Sequence, residues 1–180
     1  MKKILLMLPF LLIATGCAKN PSEPLPNIDP ETTVYKAKLT PENSLITNED
    51  TTEAYTVNIA SEEDAETKYS IEIGAPCYLS TKAHEFIMKP GSYLKSVSEY
   101  TVDRLIVDFY GGKGINFGVY ANLEGTGEAL EYHTSNVPAE DPDDGGIVYE
   151  YAINGTAWCL KNITEYNKPG IYSVTVVFSK

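Results

Sequence analysis

Beyond residue 17, apolar residues in this chain recur at every second position, and a period of 3.6 is sustained nowhere. Tyr35, Ala37 and Leu39 alternate with Lys36 and Lys38, and Tyr55, Val57 and Ile59 alternate with Thr56 and Asn58. Tyr69, Ile71 and Ile73 repeat the pattern. Successive side chains of a strand point to opposite faces, so this alternation predicts half-buried β-strands and excludes a helical bundle. Pro41 to Glu53 is polar and loop-like, Ser61 to Ala65 reads as an acidic turn, and a weaker strand is expected around Glu85 to Met88 before Lys89-Pro90-Gly91-Ser92. The 13 glycines and 11 prolines, many at turn positions, punctuate the same scheme.

The segment Val102 to Leu123 carries the clearest pattern. Leu105, Val107 and Phe109 face one way on a first strand, with Arg104, Asp108 and Tyr110 opposite. Ile115, Phe117, Val119, Ala121 and Leu123 form an apolar row on the next, with Asn116, Gly118, Tyr120 and Asn122 opposite. Gly111-Gly112-Lys113-Gly114 lies between them and is expected to close a hairpin. A one-residue slip flips every side chain, so keeping both apolar rows on one face requires Phe109 to pair with Ile115. Arg104 then lies across from Tyr120 and Asp108 from Asn116. Ala129 to Tyr132 reads as a short strand and Thr134 to Gly146 as a long acidic loop. Ile147–Ile153, Ala157–Ile163 and Ile171–Phe178 read as three further strands. Eight or more short antiparallel strands of this kind predict an all-β fold, an antiparallel two-sheet β-sandwich, jelly-roll-like in topology.

The first residues are of a different kind. Lys2 and Lys3 precede an apolar run from Ile4 to Ile13, and small residues lead into Cys17. The run covers about ten residues where a spanning helix needs about 20, so it reads as a secretory signal rather than a membrane span. Ala14-Thr15-Gly16-Cys17 resembles the signal of bacterial lipoproteins, with Ala at position 14 where Leu is commoner. The resemblance implies cleavage before Cys17, a diacylglycerol on its sulfur and a place in the bacterial cell envelope, facing outside the cytoplasmic membrane. Two or three acyl chains hold a protein stably to a bilayer, where one does so only marginally. Residues 18–32 include four prolines and almost no large apolar side chains, as expected of a semi-extended spacer. The expected organisation is a signal peptide over 1–16, lipidated Cys17 and spacer over 17–32, and one sandwich domain over 33–180.

Formal charge is −11, and loss of Lys2 and Lys3 with the leader leaves the remainder two charges more negative. Such a surface excludes nucleic acid as a partner, because phosphate contacts need Lys and Arg. It also leaves membrane attachment to the acyl chains. Cys77 and Cys159 are open to two readings in an oxidising compartment, a disulfide closing a long loop or two small buried thiols.

Little in the chain points to catalysis. His84 and His133 are the only histidines, no Gly-x-Ser-x-Gly occurs, and the glycines at 111–114 precede a strand rather than the helix a phosphate loop opens. The chain therefore reads as a non-enzyme. Glu140, Asp141, Asp143 and Asp144 form the densest carboxylate cluster and could offer oxygens to Ca²⁺, although the EF-hand spacing is absent; a solvated acidic loop is the other reading. No other cofactor is expected. Sugar-binding sandwiches stack pyranose rings on exposed tyrosines and hydrogen-bond the hydroxyls with Asp, Asn and Arg. Arg104, Asp108, Tyr110, Asn116, Tyr120 and Asn122 would supply those groups on the polar face of the central hairpin, with Trp158 in the core.

The closing phrase Gly170-Ile171-Tyr172-Ser173-Val174, with the segment Val102 to Leu123, is similar to a recurrent jelly-roll module of Gram-positive surface proteins. That similarity implies a noncatalytic binding or display role. The expected function is a membrane-anchored surface lipoprotein displaying a binding module for glycan or another extracellular ligand. The alternative is a structural or protein-interaction lipoprotein, an accessory subunit of a transporter or secreted enzyme.

Overall fold

The computed structural model describes residues 32–82, 84–112, 114–140, 147–165 and 167–180. The alternating segments form strands where the period of two predicts them: β1 (Val34–Leu39), β2 (Tyr55–Ala60), β3 (Lys68–Gly74), β5 (Glu85–Met88), β7 (Thr101–Phe109), β8 (Phe117–Tyr120), β10 (Ile147–Gly155), β11 (Cys159–Asn162) and β12 (Gly170–Ser179). Two short strands escape the pattern, β4 (Cys77–Ser80) and β6 (Tyr93–Ser96). The strand expected at 129–132 is not one; β9 follows it at His133–Thr134. Leu130 nevertheless lies beside β8, its N–H donating to the Val119 carbonyl at 2.7 Å.

All pairings are antiparallel, in two sheets. The first runs β4-β5-β12-β7-β10-β9, and β1 pairs with the C-terminal half of β12. The second runs β2-β3-β6-β11-β8. The architecture is the expected all-β sandwich. Leu105, Val107, Tyr151, Val174 and Val176 from the first sheet meet Val57, Ile71, Ile73, Leu94, Val119 and Leu160 from the second in one core. Trp158, fully buried there, donates from Nε1 to the Tyr69 hydroxyl at 2.9 Å, and that hydroxyl lies 2.7 Å from Ser96 Oγ. A buried ring with a polar tip thus finds its partner inside the core.

The central hairpin does not form. β7 lies between β10 and β12 in the first sheet, whereas β8 pairs with β11 in the second. Between β7 and β8 the chain crosses the sandwich, with 3-10 turns at Tyr110–Gly112 and Gly114–Asn116. Gly111 takes the left-handed conformation there, at φ 57°. The Phe109 and Phe117 rings stack at 4.9 Å. Arg104 consequently pairs with Ala152 and Val177 rather than Tyr120, and Asp108 with Val148 and Ser173 rather than Asn116. Two in-phase apolar rows fit one shared core equally well from one sheet or from two facing sheets, and only the pairing distinguishes them.

Candidate functional site

The six residues expected to share a ligand face are dispersed by this crossover. Asp108, 3% exposed, accepts a hydrogen bond from the backbone N–H of Glu140. With Ser135 N–H donating to the Val148 carbonyl at 2.7 Å and Glu140 paired to Lys38, this contact straps residues 135–140 across the outer face of the first sheet. Arg104 sits nearby between two carboxylates, Nη1 3.3 Å from Asp103 and Nε 3.8 Å from Glu150. Burial raises the Asp103 pKa against the lowering effect of Arg104.

The remaining four lie elsewhere. Tyr120 is 8% exposed on the outer face of the second sheet, its ring lying over Gly118. Asn122 folds the adjoining turn through bonds to both backbone groups of Thr126. Asn116 receives the Ile163 N–H on its carbonyl at 3.1 Å and the Asn167 amide on its side chain. Tyr110 packs on Tyr172 at 5.7 Å. Most of these groups hold loops in place, and the six do not lie together on one face.

The disulfide reading is corrected as well. Cys77 and Cys159 are both free and buried, one in each sheet. Cys77 Sγ lies 3.3 Å from Thr51 Oγ1, and burial pushes its pKa up. Burial pushes the Cys159 thiol up to about 11, and Gly125 closes over its sulfur. These are small apolar side chains that pack as hydrophobes do. In the acidic cluster, Glu140 is committed to Lys38, while Asp141, Asp143 and Asp144 lie outside the described residues, as does Cys17. Among the described residues no three His, Cys, Asp or Glu side chains are grouped to hold a metal ion.

Another place gathers polar groups into a concavity. The segment 47–51 runs beside β4, with Thr51 N–H bonded to the Cys77 carbonyl at 2.9 Å and Leu79 N–H to the Thr47 carbonyl at 2.7 Å. Met88, ending β5, donates its N–H to the Pro169 carbonyl at 3.0 Å and so brings the start of β12 alongside. Between these pieces lies a shallow, widely open cleft of about 220 Å³ lined by Asn48, Asp50, Tyr78, Lys89 and Lys168. Lys89 forms an ion pair with Asp50, and its ammonium stands 5.5 Å from the centre of the Tyr78 ring. One side chain thus ties the carboxylate to the aromatic wall. Both lysines occur in the tripeptide Lys-Pro-Gly, at 89–91 and 168–170. A following proline biases each lysine toward extended backbone.

The outer face of the second sheet carries a further polar group of side chains. Tyr93 lies flat on Gly74, where a Cβ would sit 2.4 Å from its ring, and donates to Glu72 at 2.7 Å. Lys95 pairs with the same carboxylate at 2.9 Å and stands over the Tyr93 ring at 5.0 Å. This triad spends its hydrogen-bonding capacity internally, whereas the cleft keeps Asn48 and Lys168 at an open surface.

Sequence reading missed the cleft because its residues come from separate turns and edges, each unremarkable alone. The repeated Lys-Pro-Gly was the one available signal, and it read simply as turn chemistry. No family model, curated protein or solved structure matches the chain.

Proposed function

We propose that this chain is a lipid-anchored envelope protein that displays a noncatalytic β-sandwich, and that the cleft at Tyr78 binds glycan. The cleft carries the binding half of this reading: an aromatic wall, an amide, a carboxylate and two ammonium groups converge from four chain segments on one concavity. Ligand sites are concave and combine an apolar surface with a few placed polar groups. At about 220 Å³ the space suits one sugar residue, being smaller than the roughly 300 Å³ at which drug-sized pockets begin. The lining supports a noncatalytic role, since its one carboxylate is neutralised by Lys89 and it contains neither histidine nor a nucleophilic hydroxyl or thiol beside a base. The anchoring half rests on Lys2, Lys3, the apolar run and Ala14-Thr15-Gly16-Cys17.

A jelly-roll topology belongs to the same proposal. Eight strands wound as two Greek keys give the orders 1-8-3-6 and 2-7-4-5. The orders β1-β12-β7-β10 and β6-β11-β8, with Leu130 bonded beside β8 in the fifth strand's place, support it once β2 to β5 are taken as an insertion.

A glycan array probed with the full-length protein in detergent tests the binding half, with Tyr78→Ala and Tyr120→Ala alongside. Retention on one glycan class, lost in Tyr78→Ala and kept in Tyr120→Ala, is the expected result. Retention that survives Tyr78→Ala, or none at millimolar concentrations, removes the cleft from the account.

A further inference from the structure

The cleft does not share the sign of the molecule around it. The chain carries 25 acidic residues against 14 Lys and Arg, yet the cleft holds two ammonium groups and one carboxylate. Asp50 is taken by Lys89. Lys168 forms no ion pair with any carboxylate among the described residues. Its backbone is held nonetheless, because Pro169 immediately after it is buried and accepts the Met88 N–H at 3.0 Å. Asn48 and Asp50 can meet the hydroxyls of a neutral sugar, and an ammonium with no ion-pair partner adds most where the ligand itself carries a negative charge. The strongly negative surroundings would hold an anion off at long range, so any anion bound here depends on charge supplied locally.

We propose that the ligand is an acidic saccharide, with a uronic acid carboxylate on Lys168 and the pyranose against Tyr78. This rests on the glycan reading of the same cleft. The Lys89–Asp50 pair is then a fixed wall that presents Asp50 to sugar hydroxyls, and Lys168 is the residue that selects charge. An ammonium–carboxylate contact at an exposed site contributes modestly, so selection should amount to roughly twofold to fivefold in affinity. The contact should weaken with added salt, because the Debye length contracts to about 3 Å at 1 M.

The probe is an oligogalacturonate and its methyl ester, titrated into the full-length protein in detergent at low and high salt. The acid should bind roughly twofold to fivefold tighter than the ester at low salt. Lys168→Gln should abolish that difference, Lys168→Arg should keep it, and high salt should erase it. Equal affinity for acid and ester, or an unchanged preference in Lys168→Gln, overturns the charge selection. If acid and ester bind alike and both are lost in Tyr78→Ala, the glycan reading stands while this inference falls. If neither binds, this inference falls, and the glycan array alone decides the glycan reading.

Discussion

Tyr69 shows how a single hydroxyl can organise this core. Its oxygen accepts from Trp158 Nε1 and meets Ser96 Oγ, all within fully buried surroundings. Removing the hydroxyl leaves the indole N–H unsatisfied where water cannot reach it, which costs about 1–3 kcal/mol. Tyr69→Phe should therefore lower the unfolding free energy by that amount, read as a lower urea midpoint at unchanged slope; an unchanged midpoint would show that the network adds nothing. Glu72 offers a pH-dependent case. The Tyr93 hydroxyl and then Lys95 hold its carboxyl below the ordinary value of 4.5, against opposition from burial. A carboxylate with a depressed folded pKa contributes stability that is present above the unfolded value and lost as pH falls through the folded one. Wild type should thus be more stable than Glu72→Gln at pH 7, by under about 1 kcal/mol for a partly exposed pair screened by solvent, and the two should converge below pH 4.5. Parallel stability curves across that range would count against the pairing. The cleft residues are the least legible at this scale. Asn48, Asp50, Tyr78 and Lys168 carry no mutual spacing, and only folding brings them together.

Among elements, what could be read from the chain depended on strand length. β7 and β12, nine and ten residues long, give several turns of the period-two pattern and are plain in the sequence. β4 and β6 have four residues each, and Cys-Tyr-Leu-Ser and Tyr-Leu-Lys-Ser offer too few alternations to stand out from a loop. The hairpin error has another origin. Leu105, Val107 and Phe109 do face the same core as Phe117 and Val119, but from the opposite sheet, so the apolar pattern is satisfied while the partner is wrong. Cysteines placed across true neighbours test the pairing, since adjacent antiparallel strands set Cα atoms about 4.5–5.5 Å apart, within reach of a disulfide. Ile106→Cys with Thr175→Cys should cross-link on oxidation, because these residues face each other between β7 and β12. Arg104→Cys with Tyr120→Cys should stay reduced when Cys159, which faces position 120 across β11 and β8, is replaced by Ala. The reverse outcome would restore the hairpin and dissolve the two-sheet arrangement around it.

Across the whole molecule, the sandwich keeps its polar loops at the surface and its free thiols inside, and its cleft gathers positive charge on an acidic body. Fold class was legible because alternation, glycine and proline all point to one answer, the consistency expected of a sequence with a single native basin. The functional proposal draws its most direct sequence signal from the first residues, where the order Lys2-Lys3, apolar run, Ala14-Thr15-Gly16-Cys17 resembles a lipoprotein signal. A binding module held at a bilayer by its first mature residue makes a joint claim, that the protein works where its lipid places it. Fractionation of cells producing the wild type and Cys17→Ser tests that claim most directly. The account predicts wild type with the membranes and Cys17→Ser released to the soluble envelope fraction or the medium. A Cys17→Ser protein that remains with the membranes would contradict it.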